Sequence, residues 1–186
     1  MKIAKNPYTK GYNKWSTDKT MIKIEDIKRL GLLITWKLLY KGICERQLGE
    51  EDVIMYAIEK LEEGDTRKEI CELAGTYVDE RKEICNLLDE LAEQENAQDD
   101  FEGRKIRAVI VSNALRVKND DYINGLLDLT DLWIDLGCPN DSPHIIQGRE
   151  NDITPMEYYT IANYNFLYEK NIEWLKRELE YLRENQ

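Results

Sequence analysis

From residue 50 onward, apolar side chains recur at the spacing of one helical face, and each run is bounded by residues that start or stop helices. Val53, Ile54, Ala57, Ile58 and Leu61 fall at i, i+1, i+4, i+5 and i+8, behind an acidic first turn of Glu50, Glu51 and Asp52 and ahead of Gly64. Thr66 precedes Ile70, Leu73 and Ala74, which Gly75 closes, and Asp79 precedes Ile84, Leu87, Leu88 and Leu91. Ile106, Val109, Ile110, Ala114 and Leu115 mark a helix over 101–118, and Asn119 or Asp120 caps another that runs to Gly137. Thr154-Pro155-Met156-Glu157 reads as a capping box with proline at the first helical position, opening a helix of about thirty residues to Arg183. Upstream, short helices are expected over 24–30, stopped by Gly31, and over 36–41, capped by Thr35 and ended by Gly42. No stretch sustains the two-residue alternation of a strand.

The expected fold is therefore all-α. Seven to eight helices stack as helical hairpins in one domain over 24–186, with a long C-terminal helix. Glycine at 10 and proline at 4 are too few for the many tight turns of a β-sandwich or barrel. Two helices share a phrase, Arg67-Lys68-Glu69-Ile70-Cys71 and Arg81-Lys82-Glu83-Ile84-Cys85. That recurrence is shorter than the roughly 20 residues of a solenoid repeat, so it reads as two similar helices in an antiparallel pair. Residues 1–23 lack helical period and read as a basic extended arm, docked by Tyr8, Tyr12 and Trp15.

Charge narrows the function. Residues 1–23 carry 6 basic and 1 acidic side chain, whereas residues 50–102 carry 5 basic and 19 acidic, more than the whole net charge of -11. Such a surface repels phosphate backbones, so no nucleic-acid partner is expected, and it favours a basic protein. Residues 1–23 hold no apolar core of a secretory signal. The most apolar run, 30–40, contains Lys37 and is too short to span a bilayer, so no membrane partner is expected. The expected setting is cytoplasmic and reducing. Cys44, Cys71, Cys85 and Cys138 form no C-x-x-C pair, and Cys71 and Cys85 read as small buried hydrophobes within apolar periodicity.

Three groups of side chains invite a chemical reading. Asp121, Asp128, Asp131 and Asp135 form a narrow stripe with Asn124 on one helix, a spacing that puts carboxylates on one face. Clustered carboxylates can hold a divalent cation, but Asp121 and Asp135 are about 21 Å apart along a helix axis and cannot share one ion. The stripe is read as a partner-binding surface. His144, the only histidine, lies in the one long internal loop, 138–153, beside Asp141 and Ser142, where Asp-Ser-Pro is first of all turn chemistry. No G-x-S-x-G, Walker or G-x-G-x-x-G motif occurs, so no catalytic residue, metal ligand or cofactor is assigned. In the last helix, Ile161, Tyr164, Tyr168, Ile172, Leu175, Leu179 and Leu182 alternate by three and four as a core seam. Leu167, Trp174 and Tyr181 make a second stripe at spacing seven, either buried within the chain or facing a partner.

With the helices placed, residues 33–146 resemble a bacterial family, domain of unknown function 2247. The resembling phrases are Ile34-Thr35-Trp36 with Tyr40 and Gly42, Ala57-Ile58-Glu59-Lys60-Leu61 with Gly64, Glu72-Leu73-Ala74-Gly75, Leu87-Leu88-Asp89-Glu90-Leu91-Ala92, and Leu136-Gly137-Cys138-Pro139. The arm and the terminal helix lie outside this resemblance. It implies a small cytoplasmic helical protein of the kind found beside polymorphic toxin genes, where such proteins commonly act as immunity factors. The resulting expectation is a non-catalytic module that binds a basic protein, such as a toxin domain, through Asp121, Asp128, Asp131 and Asp135 with Leu167, Trp174 and Tyr181. Two alternatives stay open: a metal-dependent phosphohydrolase on the acidic helix face, and a structural homodimer joined through Leu167 and Trp174.

Overall fold

Each run of helical spacing becomes a helix in the computed structural model, which describes residues 21–186. The arm expected over 1–23 lies outside the described residues except for its last three, and Ile22 belongs to the core, with its N–H donating to Gln47 O at 2.8 Å. Among the described residues there are nine helices and no strand: α1 (Ile24–Arg29), α2 (Trp36–Cys44), α3 (Glu50–Glu62), α4 (Lys68–Ala74), α5 (Arg81–Glu93), α6 (Asp99–Ala114), α7 (Tyr122–Asp135), α8 (Pro155–Tyr158) and α9 (Ile161–Glu184). The molecule is all-α, as its periodicity requires.

Gly31, at φ +66°, and Thr35, whose hydroxyl accepts from Leu38 N at 3.0 Å, bound the α1–α2 turn as expected. Gly42 does not end α2. It sits inside the helix, where a Cβ would lie 2.5 Å from Leu48 Cδ1, so glycine serves there for close approach. The caps of α4 and α5 fall one residue later than expected, at Arg67 and Glu80. Ile70 and Ile84 are fully buried, but Cys71 is exposed and Cys85 only half-buried. Helix α4 is too short to turn more than Ile70 and Leu73 inward, which overturns the reading of Cys71 as core.

The expected thirty-residue terminal helix is two helices. Thr154 caps α8 in the capping box, but the chain bends at Tyr159, and Thr160 accepts from Asn163 N at 3.1 Å to start α9 afresh. Asn163 Nδ2 donates back to Tyr158 O at 2.8 Å and fixes the bend.

Neighbours in sequence pack together at α3–α4 and α4–α5, while α2 lies against both α5 and α6. Helix α6 joins the two sides of the molecule: α1 and α2 on one, α9 on the other, with α7 packed against α9. One continuous core runs through all of them, from Ile22 to Leu182. No helix among the described residues is long and apolar enough to cross a membrane.

Candidate functional site

The acidic stripe belongs to α7, and its four aspartates have different duties. Asp121 is the N-cap: its carboxylate accepts from Ile123 N and Asn124 N, both at 2.9 Å, where the helix dipole favours negative charge. Asp128 is half-buried and accepts from Asn119 Nδ2 at 3.0 Å. Asp131 and Asp135 lie on the outward side in the C-terminal half. Beside them run three exposed apolar side chains, Ile123, Leu127 and Ile134. Among the described residues, no three His, Cys, Asp or Glu side chains converge as a metal site would need.

Behind this face, α7 is held tightly. Gly125 lets α9 close in, since a Cβ there would lie 2.4 Å from Tyr164 Cζ, and the Tyr164 hydroxyl accepts from Asn119 N at 3.0 Å. Trp133, fully buried, packs edge-on against Trp174 with ring centroids 5.1 Å apart.

The second stripe of α9 is a correction. Leu167 and Trp174 are buried inside the chain, so they offer no surface to a partner or a second copy. Tyr181 keeps an exposed edge, but the Arg104 guanidinium stacks 4.1 Å from its ring centroid. Leu167 and Trp174 turn inward because the real core seam of α9 runs through Tyr164, Leu167, Asn171, Trp174, Glu178 and Leu182, while Ile161 and Ile172 from the expected seam are exposed. The spacing is still three and four, but two members are polar. A search for apolar residues alone passes over them.

Of the two, Glu178 organises the α6–α9 contact. Arg104 donates through Nε and Nη2 to the two oxygens of Glu178, at 2.8 and 2.7 Å. Arg107 donates to both oxygens of Asp141, at 3.0 and 2.9 Å, and Trp174 Nε1 donates to Asp141 Oδ2 at 3.3 Å. The loop 138–153 is thereby tied to two helices.

His144 ties the same loop to α7 and α8. Thr130 Oγ1 donates its hydrogen to Leu126 O and Tyr158 Oη donates its own to Ile145 O, both at 2.8 Å. Both hydroxyls therefore present lone pairs to His144 Nε2, 3.0 and 3.2 Å away, and Nε2 must carry the ring proton. Nδ1 is buried without a hydrogen-bond partner, and burial pushes the imidazole pKa down to about 4. The neutral ring thus pins the loop to α7 and α8.

A cavity of about 520 Å³ opens between the start of α6 and the end of α9, lined by Phe101, Tyr181, Glu95, Gln98 and Asn185. Its floor holds Lys105 and Glu102, both buried and paired at 3.1 Å. Lys105 Nζ also donates to Leu33 O at 3.0 Å, so this ammonium is engaged in joining α6 to the α1–α2 turn. Glu95 accepts from Lys37 N at 3.1 Å, a tertiary cap on α2, and burial raises its pKa above the usual carboxylate range.

Comparison with curated proteins and with solved structures returned no match. The family model described as "Uncharacterized protein conserved in bacteria (DUF2247)" matches residues 24–179. The match is longer than the resembling phrases over 33–146 and takes in most of α9, including the buried Asn171 and Glu178. Covering well over half of the sequence, it shows that the chain belongs to this bacterial DUF2247 family.

Proposed function

We propose that this protein is a non-catalytic binding module that captures a basic protein through its acidic helical surface, in the manner of an immunity factor neutralising a cytoplasmic toxin domain. The observation that carries this reading is the acidic excess of residues 50–102, 19 acidic against 5 basic, continued by the outward aspartates of α7. A surface of that sign raises the encounter rate with a basic partner and disfavours nucleic acids. A nuclease active site must attract phosphates, so an acidic helical face can occupy it by the same electrostatics.

The test is binding between the full chain and the product of the adjacent gene, measured by calorimetry at several salt concentrations. The reading expects a stoichiometric complex whose affinity falls with salt, and expects Asp128→Asn with Asp131→Asn to weaken it and flatten that dependence. An affinity independent of salt and of both substitutions would overturn it. The same instrument addresses the metal reading: micromolar, stoichiometric binding of magnesium or manganese, lost with those substitutions, would promote a phosphohydrolase instead.

A further inference from the structure

We propose that the cavity between the start of α6 and the end of α9 binds an alkylguanidinium ion, the chemistry of an arginine side chain and of small free guanidines. The observation that points to a ligand is a carboxylate. Glu102 is 2% exposed and lines the cavity. Its Oε1 accepts from Lys105 Nζ at 3.1 Å, whereas Oε2 is buried with no hydrogen-bond partner. A buried charged oxygen in that state is costly and calls for a donor. Lys105 does not supply it: its ammonium is held by Glu102 Oε1 and by Leu33 O at 3.0 Å. A donor entering by the cavity would complete the carboxylate.

Charge and shape narrow the class of that donor. The charged side chains lining the cavity are Glu95, Glu102 and Lys105, two carboxylates against one ammonium. Glu95 is half-buried, and its pKa is raised by burial first and by the nearby charge of Glu102 as well. A cation between the two carboxylates relieves this repulsion and satisfies the orphaned oxygen together. Two aromatic rings line the same cavity, Phe101 and Tyr181, with centroids 6.3 Å apart and planes at 56°. Tyr181 already takes one guanidinium, that of Arg104, which does not line the cavity. A planar guanidinium lies against such rings and forks its donors to carboxylate oxygens, whereas a compact ammonium has neither the flat face nor the fork. At about 520 Å³ the cavity is within the roughly 300–1,000 Å³ of small-ligand sites, with room for the alkyl chain that carries the ion. This inference does not rest on the acidic surface proposed above, which is tested through Asp128 and Asp131 on α7, so either can fail alone.

The probes are agmatine and a doubly blocked arginine, which stands for the arginine of a protein. The controls are blocked citrulline, whose urea is flat but neutral, and blocked lysine. Binding to the isotope-labelled full chain is followed by calorimetry and chemical-shift mapping. The expected result is saturable binding of one guanidinium per chain. Shifts should centre on Gln98, Phe101, Glu102 and Tyr181, and the side-chain carboxyl carbon of Glu102 should move. Both controls should bind about tenfold more weakly or less, one lacking the charge and the other the plane. Glu95→Gln keeps an acceptor for Lys37 N but removes a charge, and should lower affinity about tenfold. Tyr181→Leu should lower it about threefold. An unchanged melting temperature for Glu95→Gln separates lost binding from lost folding. The Glu102 carbon reads the site in the unaltered chain, where Lys105 keeps its partner.

Binding of blocked arginine makes a protein side chain the source of the ion, and binding of agmatine alone makes it a free guanidine; both outcomes support the site. If neither saturates at up to about 10 mM, the proposal is wrong. Equal binding of blocked citrulline or blocked lysine removes the guanidinium assignment. Shifts centred elsewhere, or a Glu102 carboxyl carbon that stays still, overturn the placement. Full affinity in a folded Glu95→Gln chain overturns it equally.

Discussion

Trp133 Nε1 donates to Asn171 Oδ1 at 2.6 Å, and both residues have no accessible surface. Asn171 Nδ2 in turn donates to Leu167 O at 2.7 Å, so one amide joins α7 to α9 with both ends engaged. Replacing Asn171 with leucine leaves an indole N–H buried without this acceptor. The expected loss is about 2 kcal/mol of unfolding free energy, read from urea midpoints. The fluorescence of Trp133 should shift as well, and an unchanged spectrum with unchanged midpoint would contradict the pairing.

Glu178→Ala should be the more damaging change on α9. The carboxylate is 6% exposed and receives both Arg104 bonds, with Arg107 Nη2 3.8 Å away. Removing it leaves the Arg104 guanidinium without its carboxylate at a partly solvated contact, while Arg107 keeps Asp141. A loss of about 2–3 kcal/mol is expected, below the roughly 3–5 of a fully buried pair because Arg104 keeps access to water. Glu178→Gln should recover part of it, and denaturant titration of the two variants checks the order.

Gly125→Ala tests the closeness of α7 and α9. Alanine is the better helix former, so propensity alone predicts a gain of about 1 kcal/mol. The added methyl would meet the Tyr164 ring at 2.4 Å, and overpacking of this kind costs about 1–3 kcal/mol, so the net effect should be destabilising. A raised melting temperature would mean that Tyr164 yields without loss.

His144 gives stability a slope in pH. The unfolded imidazole takes its proton near pH 6.5 and the folded one only near pH 4, because burial disfavours the cation. Between those values the unfolded chain binds the extra proton. Stability from this group is therefore complete above about pH 6.5 and lost as pH falls towards 4, by up to about 3 kcal/mol. Titrating carboxylates add their own slope at the lower end, so the comparison is with His144→Gln, which cannot titrate. The difference in unfolding free energy between the two proteins should shrink from about pH 7.5 to about pH 4.5. A constant difference would refute the buried neutral ring.

Much of the architecture was legible because helix punctuation is local. Thr35, Gly31, Gly64 and Gly137 mark ends that the chain obeys, the three glycines at positive φ. The break between α8 and α9 escaped because no glycine or proline marks it. Thr160 and Asn163 make it by side-chain bonds that compete with a helix the surrounding pattern would otherwise continue. Of the candidate surface, Asp131 and Asp135 face outward as the stripe implies, whereas Asp121 became a cap and Asp128 a partner of Asn119. Asn171 and Glu178 were invisible for a different reason: a polar residue on a core face makes sense only with its partner, and Trp133 and Arg104 lie on other helices.

Asn171 and Glu178 stand seven residues apart on one side of α9, about 10 Å along its axis. Apolar side chains at three-and-four spacing tolerate sliding by a heptad, since one leucine serves in the place of another. Here a slide would carry an amide into the place meant for a carboxylate, opposite the arginines, and leave the indole of Trp133 facing a hydrocarbon. Two attachment points of different chemistry on one rod fix both its axial position and its rotation. The terminal helix therefore has a single register in which to close the fold.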